Sequence, residues 1–154
     1  MKVFSFFGSS SSGKTTVIEE IIRRLHEKYR IAYIKNIPHD NLDLDTQGKD
    51  TWRAEKAGSY DTIGLSPTMT YRLTRKRTEI GEVIASLDAD IVLIEGFKSF
   101  PTSIKFLVIG DESFLRFPHD FVIRANNSTY AGEAIIFPEE ASRIVGIIES
   151  SNST

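Results

Sequence analysis

Val3-Phe4-Ser5-Phe6-Phe7-Gly8-Ser9-Ser10-Ser11-Ser12-Gly13-Lys14-Thr15-Thr16 is the stretch whose reading decides the fold. Val3 to Phe7 is mostly apolar, the composition of a short strand buried on both faces. Gly8 to Thr15 then matches G-x-x-x-x-G-K-[ST] at every fixed position. From Lys14 to about Tyr29 the pattern turns helical. Val17, Ile18, Ile21, Ile22 and Leu25 make one apolar stripe, and Glu19, Glu20, Arg23, Arg24, Glu27 and Lys28 lie opposite.

A strand, a glycine-bounded turn and an amphipathic helix, in that order, make a phosphate cradle. Gly8 and Gly13 allow turns that a Cβ would block and a close approach of backbone to phosphate. The N–H groups along Ser9, Ser10, Ser11, Ser12 and Gly13 then form a ring of donors. The helix starting near Lys14 adds its unpaired N–H groups and the positive end of its dipole. Lys14 brings a full charge to the outer phosphates, Thr15 a hydroxyl for magnesium, and Thr16 a further donor. A flexible serine linker ahead of a helix is the rival reading, and it leaves the fixed lysine and threonine unexplained.

Outward from the loop, Ile31 to Lys35 is the next strand, so the first two strands are expected to be parallel with the helix crossing right-handed between them. Pro38 to Lys49 is polar, carries Asp40, Asp43, Asp45 and Gly48, and is read as a loop. Asp50 is placed as the cap of a short helix stopping at Gly58. Thr62–Leu65 and Thr68–Leu73 are expected to pair as a small antiparallel hairpin. Thr78 is placed as the N-cap of an amphipathic helix facing inward through Ile80, Val83, Ile84 and Leu87. Ile91–Ile94, Ile104–Ile109 and Phe121–Ile123 are further strands, and Pro138 opens a final helix with Glu139 and Glu140 in its first turn. The alternation predicts an α/β fold of P-loop NTPase type. Its sheet is mostly parallel with helices on both faces. One domain is expected over 1–150, followed by a disordered polar tail over 151–154.

The chain has 154 residues, a net charge of -2 and no cysteine. That charge argues against a broad nucleic-acid surface. Disulfides, thiolate metal sites and a cysteine nucleophile are excluded, which fits a cytoplasmic protein. The apolar start ends at Gly8, shorter than the core of a signal peptide, and no run is long enough to span a membrane.

Magnesium held by Thr15 needs an anionic partner, often a carboxylate at the end of a neighbouring strand. Glu95 fits, because it follows four apolar residues at the carboxyl end of a central strand, where ligands bind in such sheets. The bland alternative is an exposed strand-end glutamate. Asp90, at the other end, is read as structural. Asp45 competes for the metal or for ordering a water, since Asp45-Thr46-Gln47-Gly48 has the form D-x-x-G, against a plain solvated loop acid. Lys14, Asp45 and Glu95 are therefore the candidate catalytic groups, and Thr15, Glu95 and Asp45 the candidate metal ligands.

Four stretches considered together carry a resemblance: Gly8–Thr15, Lys35-Asn36-Ile37-Pro38-His39-Asp40, Gly48-Lys49-Asp50-Thr51-Trp52-Arg53 with Ala57-Gly58 beyond, and Asp90-Ile91-Val92-Leu93-Ile94-Glu95-Gly96-Phe97-Lys98. From the start to about residue 110 the chain resembles the molybdopterin-guanine dinucleotide biosynthesis protein B (MobB) family. The resemblance implies a GTP-binding P-loop protein, usually a homodimer, with slow GTPase activity. It implies a role beside the guanylyltransferase that attaches GMP to molybdopterin. Asp45, Gly48, Lys49, Asp50 and Arg53 would form the family's second motif, and Glu95, Gly96 and Lys98 its third. Asn36 stands where many members have histidine.

From chemistry alone, Lys35, Lys49, Arg53 and Lys98 either pair with phosphates of nucleotide or pterin or are solvated charge. His39 is either a proton carrier or, by preference, a hydrogen-bonded loop residue. Trp52 is read as an anchor on the core ahead of a stacking platform. Arg72, Arg75, Lys76 and Arg77 form a basic cluster able to attract an anion, with a solvated strand end as the default. No N-K-x-D string marks a guanine pocket. Asn126 and Asn127 sit where a base-reading loop or an ordinary turn would lie. Two other functions stand beside a GTP-binding accessory. One is an ATP-dependent nucleoside or small-molecule kinase, with Arg72 to Arg77 as a lid remnant. The other is a nucleotide-switched interaction module.

Overall fold

The computed structural model describes residues 1–39, 45–125 and 128–152. The expectations placed on Asp40, Asp43, Asn126, Asn127 and the last two residues lie outside the described residues. In chain order the elements are β1 (Lys2–Phe7), α1 (Lys14–Leu25), β2 (Ile31–Lys35), α2 (Asp50–Lys56), β3 (Asp61–Leu65), β4 (Thr70–Thr74) and α3 (Ile80–Ala85), then β5 (Ile91–Glu95), β6 (Ile104–Val108), a 3-10 turn (Glu112–Arg116), β7 (Phe121–Arg124), β8 (Ile135–Ile136) and α4 (Ala141–Ser150). Two compact units result: Met1–Asn36 with Leu87–Thr154, and Ile37–Ser86.

The larger unit is built on a six-stranded sheet in the order β2-β5-β1-β6-β7-β8, with every neighbouring pair parallel. Side chains alternate across a strand, and β1 divides accordingly. Phe4 and Phe6 join Leu93, Phe106, Val108 and Ile123 under Val17, Ile18 and Ile21 of α1 and Ile144 and Ile148 of α4. Phe7 points the other way, with Leu107 and Ile109, and is covered by Phe114, Leu115 and Phe117 from the 3-10 turn and just after it. The sheet is thus covered on both faces, which is why β1 and β5 are mostly apolar. Phe6 stacks on Phe106 at 4.8 Å between ring centroids, directly beneath the loop that leaves β1.

The smaller unit holds α2, α3 and the two-stranded antiparallel sheet β3-β4. The expected hairpin forms, with its second strand at Thr70–Thr74 and not Thr68–Leu73. Ser66 makes the reason visible. Its N–H donates to the Met69 carbonyl and its hydroxyl accepts from the Met69 N–H, so Thr68 and Met69 belong to the turn.

Three helix starts differ from the sequence reading. Lys49 is the N-cap of α2 and Asp50 its first residue, Glu79 caps α3 in place of Thr78, and α4 begins at Ala141. Pro138 sits in a turn before α4, where the Glu140 carboxylate accepts from the Ile136 N–H and so ties the turn to β8. Of the four apolar residues expected to face inward from the α3 region, Ile84 alone is classed as buried.

Candidate functional site

The loop after β1 takes its shape from residues that a Cβ or a different φ would exclude. At Gly8, where φ is +155°, an added Cβ would meet the Val108 carbonyl oxygen at 2.1 Å. Gly13, at φ 97°, is the N-cap of α1 and lends no side chain to it. The first N–H groups of the helix therefore remain directed at the loop. Gly110, after β6, sits close against the loop from below, since a Cβ there would lie 2.7 Å from Ser9 Oγ and 3.0 Å from Ser12 Cβ.

Lys14 folds over the turn it follows. Its ammonium donates to the carbonyls of Ser9 at 2.5 Å and Gly8 at 3.2 Å and to Ser12 Oγ at 3.4 Å. Burial is the main reason its pKa lies below the ordinary lysine value; Glu95 opposes the shift and Lys35 adds to it. A lysine partly stripped of water among backbone dipoles is suited to a phosphate, which restores the lost solvation with a full negative charge.

Glu95 ends β5 and is only 6% exposed. The register puts Glu95 beside Phe6 of β1 on one side and Lys35 of β2 on the other. Thr15 Oγ1 donates to Glu95 Oε2 at 2.9 Å, Tyr33 Oη donates to the same oxygen at 2.5 Å, and Lys35 Nζ lies 3.4 Å from Oε1. Burial works against ionisation of this carboxyl, but the bonds from Tyr33 and Thr15 and the charge of Lys35 together hold it below the ordinary glutamate value. Although the residue as a whole is 41% exposed, desolvation first and then the bond to Glu95 shift the Tyr33 hydroxyl upward, so it stays a donor. The result is an ionised carboxylate aimed at the threonine hydroxyl of the phosphate loop. Two hard oxygens side by side are the kind of ligand magnesium takes. Among the described residues no cluster of three or more His, Cys, Asp or Glu forms a closed cage.

The other sequence-selected residues fall in several places. Asp45 belongs to the smaller unit, where its carboxylate accepts from Thr51 Oγ1 at 2.5 Å, the Thr46 N–H at 2.7 Å and Tyr71 Oη at 3.2 Å. The Thr51 bond leads the influences that lower its pKa. Gly48, Lys49, Asp50 and Arg53 gather at the start of α2, with Arg53 3.7 Å from Asp50. Trp52 has the Lys56 ammonium 5.7 Å from its ring centroid. His39 is exposed. In the basic cluster, Arg72 binds Asp61 with two nitrogens and Arg75 binds Glu55. Gly96 lies next to Glu95, its N–H donating to the Phe6 carbonyl. The Lys98 ammonium lies over the Phe117 ring at 4.0 Å.

Tyr33 and Gly110 were not singled out from the sequence. A signal for Tyr33 was present, since it precedes Lys35 by two residues on a strand and so shares its face. Knowing that this face meets Glu95 requires the β2–β5 register. Gly110 gave no local signal, because its neighbours Ser9 and Ser12 are distant in sequence.

A family model described as MobB, Molybdopterin guanine dinucleotide synthesis protein B, matches residues 3–110. This chain belongs to the MobB family. The matched span contains the loop after β1, the α2 stretch and Glu95 through Lys98. A relative from Methanocaldococcus jannaschii is 37% identical over 100 residues, covering 64% of this chain and 42% of the relative. The molybdopterin-guanine dinucleotide biosynthesis adapter protein of Haemophilus influenzae is 36% identical over 100 residues, covering 61% of this chain and 56% of its own length. The match thus spans about half the length of these curated relatives. The crystal structure of Bacillus subtilis MobB superposes with a TM-score of 0.77 at 22% identity, covering 98% of this chain and 100% of that one, which is a likeness of fold. No helix among the described residues is long and apolar enough to cross a membrane.

Proposed function

We propose that this MobB-family chain is a GTP-binding adapter of molybdopterin-guanine dinucleotide synthesis. It takes up GTP with magnesium at Gly8–Thr16, hydrolyses it slowly, and works as a cytoplasmic homodimer beside the guanylyltransferase that joins GMP to molybdopterin. The observation that carries the nucleotide part is the 2.9 Å bond between Thr15 and Glu95, which puts a hydroxyl and an ionised carboxylate together at the rim of the phosphate loop. The name of the Haemophilus influenzae relative supports the adapter part.

The residues divide the work by chemistry. Main-chain N–H groups from Gly8 to Thr16 hold the phosphates, and Lys14 neutralises the outer ones. Thr15 and Glu95 hold magnesium, which when bound screens charge on the outer phosphates. Lys35 and Tyr33 keep Glu95 ionised and pointed at Thr15. Asp45 is assigned to ordering its own loop, since its partners Thr46, Thr51 and Tyr71 all belong to the smaller unit.

The kinase alternative, with ATP as donor, is less well supported. A lid needs arginines free to reach phosphate, and two of the three in the segment, Arg72 and Arg75, are each paired with an acid of their own unit. Single-turnover assays with labelled GTP and ATP separate the readings. The adapter reading expects slow phosphate release from GTP into water. Transfer to an added acceptor in preference to water would establish the kinase.

A further inference from the structure

A cavity of about 340 Å³ opens at the carboxyl ends of β1 and β5. Gly8, the first residue of the phosphate loop, lies in its wall, whereas Thr15 and Glu95 do not line it. A molecule held there would adjoin the nucleotide phosphates without occupying the magnesium site.

The chemistry of the walls is selective. Phe100 and Phe114 supply aromatic surface, and no carboxylate is among the lining residues. Lys98 supplies the charge. Its ammonium is 4.0 Å from the Phe117 ring centroid and 5.9 Å from that of Phe114, and none of the ion pairs among the described residues includes it. Cation–π contact holds such a group in place without neutralising it. Asn36 and Ser99 are also lining residues, of types that both donate and accept hydrogen bonds. Aromatic walls favour a flat ring, an uncompensated ammonium favours an anion, and mixed polar edges favour a heterocycle. The volume lies at the lower end of small-ligand pockets, which are about 300–1,000 Å³, and suits a two-ring system with one substituent.

We infer that this cavity is a second ligand site, adjoining the phosphate loop, for a planar heteroaromatic anion of pterin type. The inference rests on the adapter reading, in which a nucleotide and a pterin compound meet on one protein.

The test is a fluorescence titration of pterin-6-carboxylate with the intact chain, alongside the Ser99→Asp and Lys98→Met variants. Saturable binding is expected, weakened about tenfold by either change, the first adding a repelling charge and the second removing the attracting one. Absence of saturable binding, or equal affinity in all three proteins, overturns the inference. GTP affinity of the unmodified chain is measured calorimetrically on the same preparation. Its absence would sink the nucleotide reading, while the pterin titration still decides the cavity.

Discussion

Thr15 Oγ1 donates to Glu95 Oε2 across 2.9 Å, joining the phosphate loop to the end of β5 over a sequence separation of 80 residues. The parallel sheet makes this contact possible, because β1 and β5 run side by side from Lys2 opposite Ile91 to Phe6 opposite Glu95. Both strands therefore deliver their carboxyl ends to one edge, where α1 begins.

Glu95→Gln keeps the size and the acceptor oxygen for Thr15 and Tyr33 but removes the charge. Magnesium half-saturation for GTP binding is expected to rise about tenfold, with the thermal midpoint nearly unchanged. A metal titration that superimposes on the unmodified protein would assign the magnesium acid to another residue.

Tyr33→Phe deletes one of two donors to Glu95 Oε2 and leaves the ring in place. Because Tyr33 is 41% exposed, unfolding free energy should fall by about 1 kcal/mol or less. Magnesium half-saturation should rise severalfold, while nucleotide affinity measured without metal stays the same. A change in metal-free affinity equal to the change with metal would show that Tyr33 supports the fold and does not aim the carboxylate.

Phe6→Ala empties a fully buried position whose ring stacks on Phe106. Deleting a core phenylalanine costs about 3–5 kcal/mol, readable as a shift in the urea midpoint. A loss below about 1 kcal/mol would mean that this core collapses around the gap.

Asp90 is held below the ordinary aspartate value chiefly by hydrogen bonds from the Arg30 side chain and backbone N–H. A depressed folded-state pKa stabilises the native state above the unfolded-state value, and the benefit is lost as pH falls through the folded-state value. Urea midpoints should therefore decline less steeply below about pH 4 in Asp90→Asn than in the unmodified protein. Parallel decline would show that the pair contributes nothing to acid sensitivity.

Much of this was legible in the sequence because it is local. The phosphate loop and the stripe of α1 are contiguous patterns, and the apolar β1 and β5 segments need no partner to be read as buried strands. The β3–β4 hairpin was legible from its turn residues. Helix starts were less so. Asp50, Thr78 and Pro138 each have the composition of a helix N-terminus, but the observed first turns begin one or more residues away. Strand β8, two residues long, is too short to carry a period. The 3-10 turn carrying Phe114 has a local cap in Asp111, which accepts from the Ser113 N–H, but its packing on Phe7 and Ile109 is not visible in any local pattern. Of the site, Glu95 was legible from its strand-end position, whereas Tyr33 and Gly110 depend on which strands lie side by side.

The central claim is that the loop from Gly8 to Thr16 holds a magnesium nucleotide through Lys14 and its amides. Isothermal titration of GTP with magnesium into the unmodified chain and into Lys14→Ala tests it most directly. Saturable binding by the first and its loss by the second, at an unchanged circular dichroism spectrum, is the predicted result. Equal affinity in the two proteins would contradict the claim.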